Sequence, residues 1–95
     1  MTPRPAEIVL KLLEAAGGLP EQVFSRGQTM NWPPDMVDMA QEAYRAIGQC
    51  QDTDELDEIG RLIDTYRKRI PHSLYRGLGY VWSDNVHSRH FRGGM

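Results

Sequence analysis

The sequence predicts a small, mostly α-helical domain built on an antiparallel helix hairpin. Three observations carry that expectation. Apolar residues recur at helical spacing in three segments, and prolines and glycines mark the boundaries between them. The 95 residues are 40% hydrophobic and 25% charged, the balance of a folded domain and too apolar for disorder. The expected parts are an N-terminal helix over about 3–16, hairpin helices over about 33–48 and 53–70, and a C-terminal segment of short strand or irregular structure, all in a single domain spanning 1–95.

The first helix follows from Thr2 as a cap, Pro3 in the first turn, and a stripe of Ile8, Val9, Leu12, Leu13 and Ala16. Gly17-Gly18 ends it, because glycine readily takes the left-handed conformation that closes a helix, and Leu19 is expected to fold back. Residues 20–26 read as a short second helix anchored by Val23 and Phe24 and stopped by Gly27. The turn-rich stretch from Gly27 to Pro34 reads as an ordered loop with Trp32 packed against the body.

Pro33 and Pro34 fit only the first turn of a helix, so the next helix starts there. Met36, Ala40, Ala43, Tyr44 and Ile47 form its stripe, and Gly48 is expected to close it. Its small residues allow close approach of another helix, in this chain or in a second copy. Asp52-Thr53-Asp54-Glu55 resembles a capping box. Leu56, Ile59, Leu62, Ile63, Tyr66 and Ile70 then keep a helical period until Pro71, with Arg67-Lys68-Arg69 placed to complement the macrodipole. The short link between these helices argues for an antiparallel pair. Beyond Pro71 the pattern weakens: Tyr80-Val81-Trp82 has strand character and Ser83-Asp84-Asn85 is turn chemistry, while a helix capped by Ser83 is the competing reading. Leu74, Val81 and Trp82 complete the expected core.

Cys50 is the single cysteine, which excludes an intramolecular disulfide and a thiolate zinc site of the usual kind. No run approaches the ~18 apolar residues of a membrane helix, and the N-terminus lacks the layout of a secretion signal. The expectations are a cytoplasmic location, no membrane contact and no cofactor.

Charge is sorted along the chain. Residues 1–66 hold 12 acidic and 5 basic side chains, whereas 67–95 hold only Asp84 against six basic ones. An acidic face of Asp54, Asp57, Glu58 and Asp64 suits docking onto a basic site of another protein. A basic, aromatic tail with Arg76, Tyr80, Arg89, His90 and Arg92 suits a protein partner, a nucleic acid or a nucleotide phosphate, since arginines neutralise phosphates while aromatic faces stack on bases. The overall charge of −2 opposes a dedicated nucleic-acid binder. Residues 12–24 resemble a helix-turn-helix corner, with a poorly charged second helix.

His87-x-x-His90, with His72 or Asp84, would share a face only on a helix and lacks a convincing fourth metal ligand. Ser83, Asp84, His87, Ser88 and His90 supply the residue types of a triad, but no nucleophile elbow, phosphate loop or HExxH accompanies them. The resulting expectation is a non-enzymatic protein-interaction module, a stoichiometric regulator or inhibitor of a larger protein, with nucleic-acid or nucleotide-phosphate binding as the alternative. A homodimer through the alanine-rich helix is a further expectation. A free-standing protein of this size fits a phage- or plasmid-type accessory factor, although no residue carries that inference.

Overall fold

The computed structural model describes residues 3–19, 23–25, 28–30 and 32–93, with side chains throughout except at 23–25, 28–30 and 89–93. Four helices dominate: α1 (Pro5–Ala16), α2 (Pro34–Gln49), α3 (Thr53–Thr65) and α4 (His72–Gly93). Two short strands, β1 (Val23–Ser25) and β2 (Gln28–Met30), pair antiparallel between α1 and α2, with Val23 opposite Met30.

Helix α1 starts one turn's edge later than expected, with Pro5 at its first position and Arg4 as the capping residue. The Thr2 cap lies outside the described residues. Val9, Leu12 and Leu13 are fully buried, each contributing about 1.5–3 kcal/mol of burial. Gly18 closes the helix at φ 84°, and the Leu19 amide donates to the Ala16 carbonyl at 3.1 Å. Glu55, almost buried in the first turn of α3, accepts from the Ala6 amide at 3.4 Å and lies 3.7 Å from Arg4. An acid read as part of the α3 cap therefore serves the open N-terminus of α1.

The expected helix over 20–26 is not formed where the chain is described. Val23–Ser25 is a strand, because Val23 and Phe24 are strand formers and Thr29 pairs opposite Phe24. Pro20 to Gln22 and Arg26 lie outside the described residues, as do the side chains of Val23 and Phe24. A strand at this place removes the recognition helix that a helix-turn-helix needs. Trp32 is buried in the main core, the role expected of it.

Helix α2 begins at Pro34 with Pro33 as its capping residue, as the prolines dictate. It continues through Gly48 to Gln49 and ends at Cys50, which is buried and whose Sγ donates to the Asp52 carbonyl at 3.6 Å. Asp52 caps α3, its carboxylate accepting from the Asp54 and Glu55 amides at 2.9 and 3.3 Å. Helix α3 stops at Thr65 rather than at Ile70. The Arg67 amide bonds the Asp64 carbonyl and the Arg69 amide bonds that of Tyr66, tightening residues 66–69 into turns. The 67–69 cations thus follow the helix instead of filling its last turn.

Two expectations about architecture are corrected. Residues 72–93 form one long helix where a short strand or irregular structure was expected. Leu74 and Leu78 are fully buried on it, and Trp82 and Asn85 are bonded to other helices. The helix is thus held by tertiary contacts that local propensity does not reveal. Second, α2 and α3 do not pack along one another: α1 packs on both, and α4 packs on both. The hairpin of this fold is α3 with α4, joined by residues 66–71. Of the small residues on α2, Ala40 and Ala43 are buried within the chain and Ala46 stays partly exposed.

Candidate binding groove

The joint between α3 and α4 is made by small residues and one indole. Trp82 donates its Nε1–H to the Leu56 carbonyl at 2.6 Å and lies flat enough on Gly60 that a β-carbon there would sit 2.8 Å from Cζ2. One turn nearer the 66–71 connection, Gly77 lets Tyr44 of α2 approach, with only 2.6 Å between the phenol oxygen and the place of a β-carbon. Burial raises the Tyr44 phenol above its ordinary tyrosine pKa, because the phenolate loses hydration. Farther along, the Asn85 amide donates to the carbonyls of Ile47, Cys50 and Gly48 at 2.6, 3.0 and 3.3 Å, satisfying the C-terminal end of α2.

Between α3 and α4, on the side away from α2, runs an open groove of about 830 Å³. Asp57, Arg61 and Asp64 line the α3 wall, and Arg76, Tyr80 and Ser83 the α4 wall. Its floor is Gly60, Ile63, Tyr75, Gly79 and Trp82. Spacing explains both walls: positions 57, 60, 61 and 64 share one face of a helix, as do 75, 76, 79, 80 and 83. Tyr80 is 79% exposed and is the large apolar side chain that stands out from the described surface.

The structure brings together part of what the sequence singled out. Asp57 and Asp64 from the acidic face meet Arg76 and Tyr80 from the basic tail around this one groove. At these four positions acidic and basic side chains share one groove. Glu58 departs from the group, since its carboxylate lies 3.6 Å from Arg4. Asp54 stays exposed at the start of α3. Arg89, His90 and Arg92 sit on the last turns of α4, and their side chains lie outside the described residues. Among the described residues Arg76 reaches no carboxylate within ion-pair distance, the ion pairs found there belonging to Arg4.

Beside the groove, Arg67 stacks its guanidinium 5.2 Å from the centre of the Tyr75 ring, and Arg69 lies 5.7 Å from that of Tyr66. The charged side chains lining the groove are thus Asp57, Arg61 and Asp64 from α3 and Arg76 from α4, with Arg67 beside them on the Tyr75 ring.

Helical geometry places His87 four residues from Ser83, with Oγ and Nδ1 3.4 Å apart on an exposed face. No described group orients that imidazole for catalysis. Among the described residues no three His, Cys, Asp or Glu side chains converge on a metal position.

Sequence reading missed Gly60, Arg61, Tyr75, Gly79 and the bonding roles of Trp82 and Asn85. A usable signal was present: glycines inside a helical pattern mark close approach or open space as well as termination. No protein-family model, curated protein or solved structure matches this chain. No described helix is long and apolar enough to cross a membrane.

Proposed function

We propose that this chain is a non-enzymatic interaction module, a stoichiometric regulator or inhibitor that docks a larger protein through the α3/α4 groove. The observation that carries this reading is the groove's composition: Tyr75, Tyr80 and Trp82 with Arg61 and Arg76 over an apolar floor. Tryptophan, tyrosine and arginine are the residues that dominate binding energy at protein interfaces. Two carboxylates on the α3 wall, beside Arg61 and across from Arg76, make the face electrically mixed, which suits a protein surface better than a polyphosphate.

The test is affinity capture from nuclease-treated lysate with the wild-type chain, Tyr80→Ala and Arg76→Glu. One dominant protein is expected with wild type and is expected to be lost with both variants, since truncating a central interface tyrosine costs about 2 kcal/mol or more. Loss of every bound protein on nuclease treatment contradicts the reading. So does capture that neither variant affects.

A second reading, nucleic-acid or nucleotide-phosphate binding, is supported by the exposed run Arg67, Lys68 and Arg69 beside Tyr66 and Tyr75. It predicts salt-sensitive oligonucleotide binding that weakens in Arg67→Ala and Arg76→Ala. Absence of binding at low salt removes it.

A further inference from the structure

Helix α4 has one face packed on the body and an opposite face open to solvent. Leu74 and Leu78 are fully buried on the first, and Asn85 is bonded to α2 from it. On the opposite face Arg76, Tyr80, Asp84 and His87 are all exposed. The helix also stands as a rib between two hollows. The α3/α4 groove runs along one side, and a cleft of about 740 Å³, lined in part by Gly48, Cys50, Asp84 and Ser88, lies on the other. Among the described residues nothing rises beside the exposed face to keep a second helix off it.

Arg76, Tyr80 and Asp84 follow one another at four residues, so they form one of the oblique ridges along which helices pack. The order of charge on that ridge carries the inference. A cation stands one turn before the tyrosine and an anion one turn after it. When a second copy is turned end for end about an axis through Tyr80, its Asp84 meets Arg76 and its Arg76 meets Asp84. The ridge is complementary to itself, as a two-fold dimer requires, since each of its contacts occurs twice with the roles exchanged. A parallel pair would instead set arginine on arginine and aspartate on aspartate. One position farther out, Ser73 meets His87 in the antiparallel pairing and adds no like-charge contact. Both charges are available, because among the described residues the ion pairs belong to Arg4. Gly79 and Ser83 keep the adjoining row low, and nothing lies within 4 Å of where a Gly79 β-carbon would stand, so a second helix can come close.

We propose that a second copy of this chain docks on α4, the two helices antiparallel about an axis at Tyr80, with Arg76 of each copy paired to Asp84 of the other. Exposed ion pairs hold little by themselves, so the two pairs set orientation while the Tyr80 rings supply the apolar contact. One helix crossing is smaller than a standard interface, and the dissociation constant is expected on the order of 0.1 mM. Arg76 and Tyr80 also line the groove, so the dimer covers part of the face assigned above to a larger protein. That the two associations exclude each other rests on the docking reading; the dimer itself does not.

Sedimentation equilibrium on the full chain, from about 10 µM to about 1 mM, tests the dimer. Wild type is expected to dimerise. Arg76→Glu and Asp84→Arg are each expected to dimerise at least tenfold more weakly, because each brings like charges together twice. Mixed in equal amounts, these two variants are expected to form a heterodimer of wild-type strength, and the double variant Arg76→Glu/Asp84→Arg a homodimer. A merely structural effect of either substitution does not produce that rescue. A wild type that stays monomeric over the range, single variants that dimerise as wild type does, or a mixture that stays monomeric overturns the proposal. Asp84 lies outside the groove, which keeps the two readings apart. Capture of a larger protein that Tyr80→Ala abolishes, with no dimer in any sample, ends the dimer and leaves the docking reading. Rescue in the mixture, with capture that Tyr80→Ala and Arg76→Glu do not affect, supports the dimer and ends the docking reading.

Discussion

At Gly60 the distance between a stable joint and a broken one is a single methyl group. The Trp82 indole is held on α3 at two points one turn apart, by its bond to the Leu56 carbonyl and by close contact with the bare backbone at Gly60. Gly60→Ala is expected to push the indole outward and to destabilise the fold by about 1–3 kcal/mol, read by urea denaturation together with a change in tryptophan fluorescence. An unchanged midpoint and spectrum would show that the indole does not hold the two helices together. Tyr44 supplies a second residue-scale prediction. Below pH 10 its phenol is protonated in both folded and unfolded chains and stability is unaffected. Above it, the unfolded chain ionises first, because burial has raised the folded-state pKa, and stability falls as pH climbs toward that value. Denaturation at alkaline pH should show a smaller loss in Tyr44→Phe than in wild type. In the sequence Gly77 carries only the general signal of a glycine in a helical stretch. A lone glycine announces either a stop or a close approach, and here the deciding atom belongs to Tyr44, thirty-odd positions earlier in the chain.

Helix α4 shows where element-level reading stops. The end of α1, the start of α2 and the Asp52 cap of α3 are local chemistry, a glycine pair, two prolines and a short acid, and these were visible in the residues. In α4, glycines at 77 and 79, the β-branched Val81 and the outward Tyr80 interrupt any single apolar stripe. Its helicity depends on burying Leu74 and Leu78 and on the bonds made by Trp82 and Asn85. Asn85 makes that dependence testable. Asn85→Ala removes the donor to three carbonyls at the end of α2 and is expected to cost about 1–2 kcal/mol. Asn85→Asp is expected to cost more at neutral pH, because a carboxylate presents only acceptors to those carbonyls. Equal stability of wild type and both variants in chemical denaturation would deny α4 this role as the clasp on α2. The end of α3 was misread for a related reason: Tyr66 and Ile70 keep the helical period, yet the Gly18 amide bonds the Arg69 carbonyl and the chain turns to meet α1.

Across the whole molecule, neighbours in sequence are not always neighbours in space. The short link between α2 and α3 invited a packed pair, whereas α1 and α4 each pack against both, and α3 finds its consecutive partner in α4. Periodicity marks which face of a helix is buried but leaves open what buries it. The same limit governed the site. The acidic and basic residues were identified from charge order alone, but that Asp57, Asp64, Arg76 and Tyr80 share one groove follows only from the α3/α4 pairing. The account is tested most directly by hydrogen–deuterium exchange on the chain bound to its captured protein partner. Added protection should concentrate on residues 57–64 and 75–83. Protection confined to the α1 and α2 surfaces, with the α3/α4 groove exchanging as in the free chain, would contradict it.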